Sequence, residues 1–257
     1  MNIPNQNDDP AILQALEKYK FYHIIPLNER LSTPGVPGFA KLHSPVLRQM
    51  GKMDFQQKRV LDIGCRDGLF SLQAERQGAK EVVGIDSCLS IGAVEFLIPF
   101  FKSKIQMKEK GLFDLNLDSD GQFDIILFLG VLYHLRYPFN ALKIVSDLLA
   151  PGGILILETG IFADSDRHAL LHCPIGTESP YEPSSVTFFN RKGMVDSLAS
   201  FGLKVLETDY ITEQDRHSSD EKVVRGTFRC QKNLDLYDSQ LHRYWTGNPH
   251  QNWRKTT

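Results

Sequence analysis

The chain has 257 residues, of which 42% are hydrophobic, 10% aromatic and 23% charged; a soluble globular chain of this length buries roughly 75% of its unfolded surface, and fibrous or wholly disordered classes are excluded. With 29 Lys and Arg against 31 Asp and Glu the formal net charge is -2, so no global field draws the protein onto phosphates. Cys65, Cys88, Cys173 and Cys230 stand far apart with no CxxC pair, which argues against a zinc site or a disulfide framework and for a reducing compartment.

The opening MNIPNQNDDP is polar and acidic where a secretory signal is basic and then apolar. The longest apolar candidate, IILFLGVLYHL at 125–135, is about half a membrane span and carries His134. A cytoplasmic protein with no membrane contact is expected.

AILQALEKYK at 11–20 has helical spacing, with Ile12, Leu13, Leu16 and Tyr19 on one side. FYHIIPLNERLSTPGVPGFAKLH at 21–43 mixes aromatic residues with Pro34, Gly35, Pro37 and Gly38 and predicts an ordered, irregular segment suited to cover a pocket. From residue 59 short apolar runs alternate with amphipathic ones: RVLDIG, LFSLQAERQGA, EVVGID and IGAVEFLIPFFKS read as strand, helix, strand, helix. IQMKE at 105–109 is a third strand and FDIILFLG at 123–130 a fourth; PFNALKIVSDLLA at 138–150 is a helix stopped by Pro151, Gly152 and Gly153, and ILILETG at 154–160 is a fifth strand. Strands buried on both faces and alternating with helices predict an α/β, Rossmann-like, doubly wound and mostly parallel sheet. Residues 161–187 are polar and irregular, GMVDSLASFGL at 193–203 is a helix, and KVLETDYI with KVVRGTFRC forms a C-terminal antiparallel hairpin. The expected division is a covering segment at 1–58, the main domain at 59–232 with an acceptor-side insertion at 161–187, and a tail at 233–257. That tail holds Tyr237, Tyr244, Trp245 and Trp253, read as docking a last helix rather than as a stacking platform for nucleic acid.

VLDIGCRDG at 60–68 carries the chemistry. The apolar run ends a strand at the carboxyl edge of the sheet, where open parallel sheets bind ligands. Gly64 and Gly68 let backbone approach a bound molecule, and the helix from Leu69 aims its N-terminus at the same crevice. A dinucleotide fingerprint beginning at Gly64 needs glycine where Arg66 and Leu69 stand. Asp86, closing EVVGID, is an acceptor for ribose hydroxyls that either a dinucleotide or an adenosyl ligand uses.

VLDIGCRDG, VVGID, FDIILFLGVLYH and LLAPGGILILE, in that order, resemble the class I S-adenosylmethionine-dependent methyltransferases over roughly residues 59 to 230. The resemblance implies the seven-stranded methyltransferase fold and S-adenosyl-L-methionine as cofactor. It puts Gly64 and the neighbouring Cys65 and Gly68 backbone on the methionine portion, Asp86 on the ribose, Ser87 and Cys88 beside the adenosine, Leu112 and Phe113 around the adenine and Leu129 under the sulfonium, with Asp62 holding the glycine turn. Arg66 stands where the family usually has a third glycine and is expected to face solvent. VLYHLRYP, with FYHIIPLNERLSTPG and SSVTFFNRKGMVDSLASFGL, is similar to the branch of tRNA wobble-uridine carboxymethyltransferases, which use carboxy-S-adenosyl-L-methionine. On that resemblance Tyr133 and Arg225 meet the extra carboxylate, and Lys20 and Lys41 match upstream lysines loosely.

His134, and beside it Tyr133, are the candidate catalytic residues, His134 as proton acceptor. Tyr181 and Glu182, with His168, are candidates to shape the acceptor pocket. His168 and His172 share a helical spacing beside Cys173 but lack a further ligand, so no metal is expected, and the Lys102, Lys104, Lys108 and Lys110 stripe reads as a solvated face. Methyl transfer to an O or N acceptor, small molecule or tRNA, is the leading expectation. Carboxymethyl transfer, a non-catalytic adenosyl-binding protein and a dehydrogenase follow it; oligomeric state is left open.

Overall fold

A computed structural model of the chain describes residues 9–163, 166–211 and 223–233. The expected docking of the tail aromatics falls on residues outside these ranges. Helix α1 (Asp9–Lys18) leads into an irregular stretch and then α2 (Phe39–Met50). This second helix corrects the reading of irregular chain as far as His43. Pro45 lies inside it and removes a ladder hydrogen bond, but Leu42, Val46, Gln49 and Met50 are buried by the same face, and burial of an amphipathic face outweighs local propensity.

The alternating pattern then unfolds as β1 (Arg59–Ile63), α3 (Leu69–Arg76) and β2 (Glu81–Asp86). The predicted helix at 91–103 is helical from 91 to 100 but contains a π-turn at Ala93–Leu97 before α4 (Ile98–Phe100), whose Pro99 has no N–H to donate. There follow β3 (Gln106–Glu109), α5 (Leu117–Asp120), β4 (Phe123–Leu129) and α6 (Pro138–Leu148). Strand β5 (Leu149–Phe162) is twice the predicted length. Pro151, Gly152 and Gly153, read as a helix stop, lie inside the strand, where the register against β4 shifts between Phe123 and Ile125. The described residues close with β6 (Leu171–His172), β7 (Phe188–Phe189), α7 (Arg191–Ser200), β8 (Leu203–Tyr210) and β9 (Val223–Lys232).

Strands β3, β2, β1, β4 and β5 lie side by side and parallel. The predicted antiparallel hairpin of β8 and β9 completes the sheet against the far edge of β5. Short β7 takes the edge of β5 beyond the end of β4, pairing at Ile161, and β6 joins it; neither was predicted. Alternate side chains feed two cores. From β4, Ile126 and Phe128 pack with Leu142 and Val145 of α6 and Leu198 of α7, whereas Ile125, Leu127 and Leu129 pack with Ile12, Val46, Met50 and Leu72 of α1, α2 and α3. Fully buried Phe123, Phe128 and Phe228 each contribute roughly 1.5–3 kcal/mol of transfer free energy. Strand order reverses between β1 and β4, and the carboxyl ends of these strands open a crevice. Among the described residues no helix is long and apolar enough to cross a membrane.

Candidate functional site

The turn after β1 builds one wall of a cavity of about 880 Å³, within the range of ligand pockets. Gly64 has φ +75°, and a Cβ there would stand 2.3 Å from Val131 Cγ2, so only glycine lets the turn pass. The N–H groups of Gly64 and Cys65 donate to the Ile85 carbonyl at 2.8 and 3.0 Å, pinning the turn to β2. Gly68, at φ +80°, starts α3. Arg66 keeps the left-handed backbone, φ 50°, at the position where the resemblance expects a third glycine. It is exposed at the cavity rim, and its guanidinium donates to the Cys88 carbonyl at 3.3 Å.

Across the crevice, the Asp86 carboxylate is oriented by two backbone donors: Arg66 N–H at 3.0 Å and Cys88 N–H at 2.9 Å, one on each oxygen. Ser87, Leu112, Phe113, Leu129 and Lys110 line the same end of the cavity. Lys110, one of the four lysines read as a solvated face, is paired with Asp120 at 2.7 Å. Of the predicted cofactor residues, Asp62, Cys65, Gly68 and Cys88 stand outside the lining. Asp62 is buried behind the turn, where it accepts the Ser71 hydroxyl at 2.6 Å and joins β1 to α3. Burial pushes its carboxyl up to about 7. Cys65 is buried against Gly84, and burial raises its thiol. Cys88 is exposed and acts through its backbone.

The opposite end gathers Tyr133, His134, Tyr181, Glu182, Glu158, Arg225, Tyr22 and His43. Arg225 and Glu158 are diagonal neighbours on β9 and β5 and form a buried, two-pronged ion pair. The guanidinium lies 4.7 Å from the Tyr133 ring centroid and 5.7 Å from that of Tyr181. His134 Nδ1 contacts the Ser184 carbonyl at 3.3 Å, and Nε2 lies 3.6 Å from Glu182. Burial holds the His134 imidazole below its usual value, Ser184 and Glu182 pulling the other way. Burial raises the Tyr22 and Tyr181 phenols to about 12.

The segment at 21–43 reaches this cavity through Tyr22, His23, Phe39, Leu42 and His43. Lys20 and Lys41 are exposed outside the lining. Asp67, buried to 1% exposure, accepts the backbone N–H groups of Tyr22 and His23. His168 lies outside the lining. Its carbonyl takes the Asn190 amide, and His172 stacks on Phe162 at 4.8 Å from within β6, so the two do not share a helix face. Sequence reasoning missed Asp67, His23, His43 and Glu158. His23 and His43 lie in the segment read as covering a pocket, and Glu158 carried a signal of its own, a carboxylate at the end of the apolar run ILIL.

Residues 38–208 match the family model described as a methyltransferase domain. The chain belongs to this methyltransferase domain family. A tRNA U34 carboxymethyltransferase of Helicobacter acinonychis is 38% identical to this methyltransferase domain protein over 122 residues, 46% of each chain. One of Nautilia profundicola is 36% identical over 124 residues, 48% of this chain and 40% of the relative. The chain spans about half the length of the curated relatives it matches. Among solved structures, the N-terminal domain of EvdMO1 with SAH and D-fucose has a TM-score of 0.63 at 17% identity, covering 90% of this chain and 98% of its own. The [4+2]-cyclase SpnF has a TM-score of 0.61 at 14% identity, covering 88% and 93%. The methyltransferase fold is therefore shared with a protein described as a cyclase.

Proposed function

We propose that this chain transfers a methyl group from S-adenosylmethionine to a hydroxyl or amine acceptor. The observation that carries the reading is the pairing, across one cavity, of the Gly64 turn with an Asp86 carboxylate already oriented by two backbone donors. The residues present fit such a cofactor. The side-chain-free backbone of the Gly64 turn, which lines the cavity, suits its methionine portion, an oriented carboxylate suits two ribose hydroxyls, and Leu112, Phe113 and Leu129 offer an apolar slot for a base. The cofactor supplies a carbon on a positively charged sulfur leaving group. The protein's part is to align the acceptor with that carbon, exclude water and take a proton at His134 Nε2. In this reading the segment at 21–43 and the stretch at 180–182 close the two sides of the acceptor end, through Tyr22 and His43 and through Tyr181 and Glu182.

Isothermal titration with S-adenosylhomocysteine tests the reading. Binding is expected, weakened at least about tenfold by Asp86→Ala, since a hydrogen bond to a charged group contributes about 1.5–3 kcal/mol. Absence of binding to the unaltered chain would overturn it.

Carboxymethyl transfer to tRNA is the second reading, supported by the likeness to the tRNA U34 carboxymethyltransferases and by Tyr133 and Arg225 meeting in one cavity. Charge favours the unmodified cofactor. The Arg225 guanidinium is already neutralised by Glu158, and an added carboxylate needs a cation of its own to leave water. Mass analysis of the nucleoside that copurifies with the chain separates the two. A third reading, an adenosyl-binding protein without methyl transfer, draws on Arg66 standing where the resemblance expects a third glycine; labelled cofactor would then label nothing in a cell extract.

A further inference from the structure

The acceptor end is chemically narrow. Tyr133 and Tyr181 meet edge to face, ring centroids 5.5 Å apart at 80°. Tyr22 joins them at the rim, its phenol within electrostatic reach of Tyr133, Arg225, Glu158 and Glu182. Arg225 lies against the rings of Tyr133 and Tyr181, so a cationic acceptor would meet a guanidinium where it seeks an aromatic face. The same guanidinium is engaged by Glu158 on two nitrogens, and Glu182 stands nearby, so an anionic acceptor finds its counter-charge taken and a like charge in front of it. An uncharged ring avoids both penalties and can meet the phenols edge-on, without needing the faces that Arg225 holds.

His134 adds a direction for the proton. With Nδ1–H donating to the Ser184 carbonyl, Nε2 carries the lone pair. Glu182 lies 3.6 Å from that nitrogen, too long for a hydrogen bond in the neutral state and well placed as counter-ion once Nε2 is protonated. Such a base serves a hydroxyl, whose nucleophilicity rises as its proton leaves.

Resting on the methyl-transfer reading, we propose that the acceptor is an uncharged planar ring bearing a hydroxyl, a phenol or hydroxylated heteroaromatic, held among Tyr22, Tyr133 and Tyr181, with His134 as its base and Glu182 as the balancing carboxylate. The acceptor oxygen bonds to the methyl carbon, and the carbon–sulfur bond breaks with its electron pair left on sulfur. The hydroxyl proton passes to His134 Nε2 and then to water. The products are an aryl methyl ether, S-adenosylhomocysteine and one proton.

The test measures S-adenosylhomocysteine release by the full chain supplied with S-adenosylmethionine. The acceptors are a panel of neutral phenols and hydroxypyridines, the matched hydroxybenzoates, aliphatic amines, and bulk tRNA. Turnover is expected with neutral ring hydroxyls, with kcat/KM at least about tenfold above the matched hydroxybenzoates, the discrimination that about 1.4 kcal/mol gives. His134→Ala should lower kcat by about 100-fold or more while S-adenosylhomocysteine affinity stays unchanged. Glu182→Gln should move the acid limb of the kcat profile to lower pH, because Glu182 raises the His134 pKa. Turnover confined to amines, carboxylates or tRNA, no turnover of any ring hydroxyl, or an unchanged kcat in His134→Ala would each overturn the proposal while S-adenosylhomocysteine still binds. Loss of that binding in the unaltered chain would instead defeat the methyl-transfer reading beneath it.

Discussion

The carboxylate of Asp67, in the turn after β1, accepts the backbone N–H of His23 in the covering segment at 2.7 Å, and the adjacent Tyr22 N–H shares the same oxygen. One side chain thereby fastens the cover to the cradle. Asp67→Ala leaves both donors without their partner and should cost about 2–4 kcal/mol. Urea unfolding reads the loss, and amide exchange at Tyr22 and His23 should accelerate. Unaltered exchange at those amides would show that Asp67 does not hold the cover.

The buried pair of Glu158 and Arg225 gives a second prediction. Glu158→Gln strands a buried guanidinium and should cost about 3–5 kcal/mol, with much of it recovered when Arg225→Gln is added. In the single variant the freed cation should also raise affinity for carboxy-S-adenosylmethionine relative to S-adenosylmethionine. Competition binding of the two cofactors checks this, and an unchanged ratio would count against the charge argument for the unmodified cofactor.

Stability should fall in weak acid. Burial lowers His23 from 6.5 to about 4, Arg66 adding, and lowers His43 from 6.5 to about 3, His23 and Arg225 adding. Both folded values lie below the unfolded one, so their penalty is absent above pH 6.5 and grows as pH falls toward 4. Asp62 works the other way: its folded value of about 7 lies above the unfolded 3.8, so stability is gained as pH falls through that window. Two groups against one leave somewhat under one net proton taken up on unfolding, a loss on the order of 1 kcal/mol per pH unit between pH 6 and 4 from these three groups. His23→Phe should flatten the slope in urea titrations across this range.

Arg66→Gly separates backbone from side chain. Relief of a left-handed non-glycine residue, about 1–2 kcal/mol, is offset by glycine's greater chain entropy, roughly 0.5–1 kcal/mol. Stability should change by no more than about 1 kcal/mol. S-adenosylhomocysteine affinity should drop less than about fivefold, the ceiling for an exposed ion pair worth under 1 kcal/mol. A larger drop would assign the guanidinium to the ligand's carboxylate.

The sheet was legible because VLDI, VVGI and DIILFL are apolar on both faces, a pattern that parallel central strands require. The cradle was legible for a related reason, since Gly64 and Asp86 each close such a run. Helix α2 was hidden by Pro37, Gly38 and Pro45, whose local preferences are overruled by the core that Val46 and Met50 join. The start of β5 was hidden by Pro151, Gly152 and Gly153, which punctuate a bulged strand as readily as they stop a helix. Tyr22, His43, Glu158 and Arg225 lie on four separate elements, and only the folded topology makes them neighbours. Asp67 reads locally as half of an Asp-Gly turn, and its long-range bonds to Tyr22 and His23 leave no local trace.

Glu158 lies on the central strand β5 and Arg225 on β9, the last strand in chain order among the described residues. During synthesis the carboxylate is therefore made well before the cation that balances it. A nascent chain halted short of β9 holds an uncompensated negative charge at the centre of its sheet, which keeps that region hydrated. The floor of the ligand chamber can dry and set only when β9 pairs with β5, so competence to bind arrives with that one strand rather than growing strand by strand.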